Sequence, residues 1–435
     1  MKKNIYISIT ALGLALMTFT GCVKDFADPS RATEDKIGES TQGLTGVAVS
    51  LQSRYTAGRG NIYNAITISG FLTNEITLLN QGNTGEFQLS VGGNTLDGGN
   101  TVIGALWSNS TKIIFDADYV ISRVNNVPDK GFASGLLGYA TIFKSLALAD
   151  LAAFWEKVPA STGQNATFIT RNEAYVKIIA DIDRALTAIS TNPISSSFTS
   201  TIPQGIDIPN TLRALKARYA LYAGNYPLAL SSANAVDLSK KSVFLSTSIN
   251  QNGIFGTVTS SNNVWQPIDD TFGLPVGLQP VADDKRISFY LSINNTIAPK
   301  WRMAGFAASL TSEWPVYLPG EMTLIKAEAL ARPSTATQAD LDNALVELNK
   351  IQTKTASQDP LGVGANLPAL VGPMTKDQIM TEIFRQRSIE MYISGQKLED
   401  SRRFGRPQAE RKRNFVNYPF RERDQNPNTP TDPAL

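Results

Sequence analysis

Residues Thr211 to Val236 read TLRALKARYALYAGNYPLALSSANAV, and this stretch decides the fold class. Leu212, Leu215, Tyr219 and Tyr222 recur at i, i+3, i+7 and i+10, which places them on one face of a helix. Gly224-Asn225 breaks that pattern, and Tyr226, Leu230 and Ala233 restart it as a second helix. The small residues Ala220, Ala223, Ala229 and Ala233 let the two helices approach closely. Helix, tight glycine turn, then a helix with alanines at the contact positions is the second half of a tetratricopeptide-type unit. Such a pair cannot bury its apolar face alone and needs neighbours to stack on.

Working outward, the same periodicity predicts helices over Glu39–Tyr55, Leu106–Val127, Gly131–Trp155 and Asn172–Ser190 before the pair. After it, helices are predicted from Leu318 to Leu330, Gln338 to Gln352 and Thr375 to Ser394, the last with Thr375 as N-cap. Two segments do not fit. Gly58 to Asn100 is dense in Gly, Asn and Thr and carries the alternating run EFQLSV, which reads as loops and a small hairpin. Leu238 to Pro315 alternates short strand-like runs with turns, as in DDKRISFYLSINN. The expected fold is mainly α: a tetratricopeptide-like helical-repeat body with irregular loop-rich insertions at about 58–100 and 238–315 and a few short strands.

The 435 residues, 42% of them hydrophobic, can build one large domain or two fused lobes. There is no histidine, which removes His-based triads, His-metal sites and the usual general base near neutral pH. The single cysteine, Cys22, removes intrachain disulfides, Cys-metal clusters and CxxC redox chemistry. No metal or cofactor is expected, and carboxylate-only chemistry of the glycosidase kind is the main catalytic option left. Removing Lys2 and Lys3 with a signal peptide leaves 38 basic residues against 38 acidic ones, and a neutral mature chain argues against nucleic acid as the main partner.

Lys2 and Lys3 form a basic n-region, and Ile5 to Phe19 a mostly apolar h-region. Thr20 and Gly21 supply small residues before Cys22, so Phe19-Thr20-Gly21-Cys22 resembles a bacterial lipobox. Residues 1–21 then read as a lipoprotein signal peptide and 22–38 as a tether acylated at Cys22. No later stretch is expected to be long and apolar enough to span a bilayer. Acidic residues close behind the cysteine, in VKDFADPSRATEDK, resemble the export signal that sends lipoproteins of the Bacteroidetes to the outer face of the outer membrane.

The C-terminal third carries a family resemblance. EMTLIKAEALAR (Glu321 to Arg332), IFRQRSIEMYISGQKLEDSRRFGR (Ile383 to Arg406) and NYPFRERDQNPN (Asn417 to Asn428) resemble conserved blocks of SusD/RagB-like proteins, with FWEKVP (Phe154 to Pro159) and DDKR (Asp283 to Arg286) in matching order. Lys397 and Phe404 depart from the family's common Arg and Trp. The resemblance implies residues 39–435 as a single α-helical domain of a surface-exposed outer-membrane lipoprotein. It also implies a SusC-like TonB-dependent transporter as partner, over which the protein sits as a lid. The usual ligand is an oligosaccharide, though some members handle peptides.

Within that frame, Glu321, Glu328, Arg387, Glu390, Asp400 and Arg403 are expected in ion pairs and caps rather than in chemistry. Trp107, Trp155 and Trp314 flank helices and are expected in the core. Trp265, Tyr290 and Trp301 lie in the second irregular segment among amides and acids. If RISFYLSI is a strand, Tyr290 is on its polar face, where a ring can stack on a sugar. These three, with Tyr55 and Tyr63, are the candidate ligand-binding residues; no catalytic residue is assigned. The leading expectation is a non-enzymatic glycan-capture lipoprotein. A lipid-anchored glycosidase working through two carboxylates and a helical-repeat scaffold that binds only protein are the alternatives.

Overall fold

The turn inside Thr211–Val236 shows how the chain is folded back on itself. The computed structural model describes residues 34–434, so Cys22 and the signal segment lie outside the described residues. The pair consists of helices Ile208–Tyr222 and Tyr226–Asn234. Gly224 takes a left-handed φ of 75°, open to glycine at no steric cost. Its N–H donates to the Leu221 carbonyl at 3.1 Å and the Asn225 N–H to the Ala220 carbonyl at 2.9 Å, which closes the first helix. The Asn225 side chain then accepts from the Leu228 N–H at 3.2 Å and opens the second. Ala220, Ala229 and Ala233 are fully buried between them.

Neighbouring helices stack in one row. Thr41–Thr56 packs on Thr101–Arg123, which packs on Lys130–Phe154, then Arg171–Thr191, then the pair, then Pro319–Ala331 with Gln338–Thr353, and last Lys376–Glu390. Most helix starts in the row carry a side-chain cap. Asn100 accepts from Val102 and Ile103, Thr170 and Glu173 form a capping box, and Thr375 and Gln378 form another. The periodic expectations therefore hold to within a few residues, apart from an earlier start at Thr101 and, for the pair, at Ile208. Lys130–Phe154 is, against expectation, long and apolar enough to cross a membrane, but it is the central core helix and its apolar residues face protein.

The irregular segments depart from their reading. The expected loops of 58–100 contain the helix Asn61–Leu72, buried along its whole length, and EFQLSV lies in the helix Thr84–Val91 rather than a strand. RISFY lies in the helix Lys285–Tyr290, and only Leu291–Ile293 is extended. The end of the expected tether is helical, over Glu34–Glu39. Among the described residues the strands form two-stranded antiparallel ladders. One of them pairs Ile76–Leu78 with Trp265–Pro267 and so ties the two irregular segments together.

Buried ion pairs fasten the second segment to the helical body. Arg286 pairs with Asp284 at 2.7 Å and Glu390 at 3.1 Å, and Lys354 reaches Glu390 at 2.6 Å. Arg218 is held by Glu321, Arg387 by Asp400, and Glu328 receives Arg332 and Arg403. The acidic and basic residues of the C-terminal blocks are thus structural, as expected, though most partners are distant in sequence rather than one helical turn away.

Candidate ligand-binding site

Two cavities meet at Trp314. The outer cleft, about 330 Å³, lies between the Thr41–Thr56 helix, the start of Asn61–Leu72, the Pro203-Gln204 bend and the loop from Phe244 to Ile254. Asn252 shapes that loop. Its Nδ2 donates to the Phe306 carbonyl at 2.8 Å and the Ser312 carbonyl at 3.0 Å, while its Oδ1 accepts from the N–H groups of Ile254 and Phe255. With Asn252 buried in this role, Asn250, Gln251 and Thr247 lie exposed at the rim, where Thr247 Oγ1 accepts from the Ile249 and Asn250 N–H groups and Gln251 Nε2 donates to the Ser248 carbonyl at 3.2 Å. Amides beside an aromatic ring suit a neutral polar ligand.

The inner chamber, about 90 Å³, shares Ile62, Phe244 and Trp314 with the cleft. Its walls include Tyr55, Tyr219 and Tyr222, and its polar groups are Asp150, Arg218, Gln396 and Glu399. Arg218 is fixed by two hydrogen bonds to Glu321, at 2.5 and 2.6 Å, and one to the Val316 carbonyl at 3.2 Å. Asp150 accepts from Asn61 Nδ2 at 3.0 Å and from the Tyr55 hydroxyl. Burial raises its pKa to about 7, against the lowering effects of those two hydrogen bonds and of the Arg218 charge. Burial also lifts the Tyr55 hydroxyl well above its ordinary value, and the Asp150 charge adds to this. Glu399 is held below the ordinary carboxylate range although burial opposes this, because Arg402 and Arg171 both pair with it.

The five residues singled out in the sequence are not gathered into one site. Trp265 is fully buried, donates from Nε1 to Thr67 at 3.1 Å and stacks on Tyr63 with ring centroids 6.4 Å apart. Tyr290 is buried rather than displayed, because the expected strand is a helix that turns it inward; its hydroxyl donates to the Glu390 carbonyl at 2.5 Å. Neither ring has a face left for a sugar. Trp301 keeps some exposed surface beside Lys300 but lines neither cavity. Tyr63 edges the cleft from the core, with its hydroxyl donating to Glu86 at 2.7 Å, and Tyr55 edges the chamber.

Trp314, expected in the core with Trp107 and Trp155, is instead a ring shared by the two cavities. The other two are buried, whereas Trp314 is half-exposed between the cavities. A signal was present: it lies at the end of the amide-rich second segment, directly before Pro315. Among the described residues there is no group of three or more His, Cys, Asp or Glu placed to hold a metal ion.

The geometry defines a helical-repeat protein carrying an aromatic-edged cleft under an irregular cap. Residues 306–432 match the model of the SusD family. A SusD superfamily protein from Bacteroides vulgatus ATCC 8482 has the same fold at 13% identity, with a TM-score of 0.68 over 90% of this chain and 98% of its own. A laminarin binding SusD-like protein aligns at 13% identity and TM-score 0.63, covering 91% of this chain and 99% of that one. B. fragilis NanU does so at 14% identity and TM-score 0.65, covering 94% and 99%. No curated protein matches. The C-terminal part of the chain thus matches the SusD family in sequence, and most of its length shares the fold of SusD superfamily structures.

Proposed function

We propose that this protein captures glycans at the cell surface without turning them over and delivers them to a SusC-like TonB-dependent transporter. The observation that carries the reading is the cleft itself: a half-exposed Trp314 edge and a rim of Thr247, Asn250 and Gln251, on a fold shared with proteins described as carbohydrate binding. A ring stacks on the C–H face of a sugar while amides take its hydroxyls. Anchoring through acylated Cys22 on the outer face of the outer membrane would raise the ligand's effective concentration at the pore. A peptide in place of a glycan would use the same cleft.

The test is a titration of the purified protein against a glycan panel. Trp314→Ala is expected to lose roughly 1–3 kcal/mol of binding, by analogy with other stacked flat rings. Trp107→Ala is expected to leave binding intact and lose about 3–5 kcal/mol of stability. Equal affinity of wild type and Trp314→Ala for every bound glycan would place the site elsewhere. For the anchor, Cys22→Ala is expected to move the protein out of the membrane fraction with its fold unchanged. Sedimentation of that variant with outer membranes in high salt would count against lipid attachment.

One observation favours the glycosidase alternative. Asp150 and Glu399 line one chamber with pKa values pushed in opposite directions, as acid and base require. Two features weigh against it: Glu399 is occupied by Arg171 and Arg402, and about 90 Å³ does not hold sugar rings on both sides of a scissile bond. Glycan hydrolysis that survives repurification and disappears in Asp150→Asn would overturn the capture reading.

A further inference from the structure

The inner chamber has a chemistry that the cleft lacks. Elsewhere in the core, most deep carboxylates are matched by cations; Glu75, which accepts from the Thr73 hydroxyl, is an exception. Glu86 has Arg59, Glu321 has Arg218, Glu328 has Arg403, Glu390 has Arg286, and Asp400 has Arg387. Asp150 stands in no ion pair, yet it is partly buried in the wall of a chamber with room for a small group. The nearby Arg218 does not fill that role, because its guanidinium is already matched by both oxygens of Glu321.

The remaining lining favours a cation. Tyr55, Tyr219, Tyr222 and Trp314 surround the space, and aromatic rings attract a cation over their faces, more strongly where water is excluded. Gln396 and Glu399 add acceptors; the Gln396 Oε1 already accepts from the Tyr222 hydroxyl at 2.6 Å. The size excludes a chain of sugars and suits the end of one side group.

We propose that the inner chamber binds a primary ammonium group, with Asp150 as its counter-ion and the tyrosines and Trp314 as its walls. The proposal deepens the capture reading and rests on it for the origin of the ligand. The ammonium belongs to a de-acetylated amino sugar or to a lysine or N-terminus of a peptide; both offer the same group to the chamber. Binding then requires the ionised form of Asp150. The groups that face it are Tyr55 from the Thr41–Thr56 helix, Asn61 from the next helix, and Arg218 and Tyr219 from Ile208–Tyr222, with Glu399 lining the same space. Tyrosine and arginine do not change charge near neutrality, and Glu399 is ionised throughout, so Asp150 sets the pH response.

The experiment is calorimetric titration of the full chain with four probes: a glucosamine oligomer, its N-acetylated counterpart, a short lysine peptide and the same peptide acetylated on every amine. At least one free amine is expected to bind at least tenfold more tightly than its acetylated form. For the lysine peptide, whose side-chain amine stays charged up to a pKa of about 10.4, affinity should rise about tenfold from pH 6 to pH 8 as Asp150 ionises. Asp150→Asn should remove both preferences. A preference confined to the amino sugar assigns the chamber to glycans, one confined to the peptide assigns it to peptides, and both together assign it to the group. Equal binding of free and acetylated probes by the wild type would overturn the proposal, and that comparison does not depend on how the variant folds. A preference retained by folded Asp150→Asn would overturn it as well. If neutral glycans bind through Trp314 while amines gain nothing, the capture reading stands and the chamber assignment alone fails.

Discussion

At Asp150, structure and pH are linked in a direction opposite to that of most acidic residues. Its pKa is about 7 in the folded protein and close to 3.9 in the unfolded chain. Between those values the unfolded state has released the proton while the folded state keeps it, so stability falls as pH rises from about 4 to about 7 and is level above. Three pH units set an upper bound of about 4 kcal/mol. Asp150→Asn does not titrate, so the difference in unfolding free energy between wild type and variant should change across that window. A constant difference from pH 4 to pH 8, measured by denaturant melts, would show that Asp150 is an ordinary carboxylate.

Among the elements, the long helices with apolar stripes were legible in the sequence even where they bury a charge, and the shorter helices of the two irregular segments were not. The pattern of Asn172–Ser190 puts Tyr175, Ile178, Ile179, Ile182 and Leu186 on one face; Tyr175, Ile178 and Ile182 are buried, and Ile179 and Leu186 pack partly buried against the core. In EFQLSV the alternation assigns Glu86 to solvent, yet Glu86 is buried against Tyr63 and Arg59. Gly85, Glu86 and Leu89 face inward instead, which is a helical spacing. RISFY fails in the same way: Arg286 and Tyr290, four residues apart, are both buried. In so short a segment, a code that counts charged residues as outside inverts where an ion pair is inside, and the partners that would correct it lie far away in sequence. The candidate site was legible only as a region for this reason. The second irregular segment does supply the Phe244–Ile254 loop and Trp314, but of the aromatics chosen by local polarity Trp265 and Tyr290 are drawn into the core and Trp301 lines neither cavity.

The same pairing makes one helix start unusually intolerant. At Gly320 an added Cβ would lie 2.0 Å from Oε1 of Glu390. That carboxylate cannot swing aside, because Arg286 and Lys354 hold it. Gly320→Ala is therefore expected to lose about 1–3 kcal/mol although alanine is the better helix former. A melting temperature equal to wild type would mean that Glu390 is free to move.

Across the whole molecule, the cap shares one apolar core with the body and is also fastened to it by polar contacts. Arg286, Lys354 and Glu390 form one link, Lys397 donates to the Phe272 carbonyl at 2.7 Å, and Tyr392 donates to the Glu75 carbonyl at 2.9 Å. Arg286→Met should strand Asp284 and weaken the hold on Glu390, costing about 3–5 kcal/mol. Proteolysis should then cut within 238–315 before it cuts the helical row. Uniform cutting along the chain would show that cap and row open together.

The ladder between Ile76–Leu78 and Trp265–Pro267 also sets an order of events. Its two strands are separated by most of the helical row, so their meeting closes a very long loop and comes late. Until then, the Asn61–Leu72 helix, buried along its length in the finished protein, lacks the Trp265 ring that stacks on Tyr63 and donates to Thr67. A chain emerging from its N-terminus makes this apolar segment early and completes its burial only after the second irregular segment has arrived. A slow refolding phase sensitive to Trp265 would mark the end of that interval.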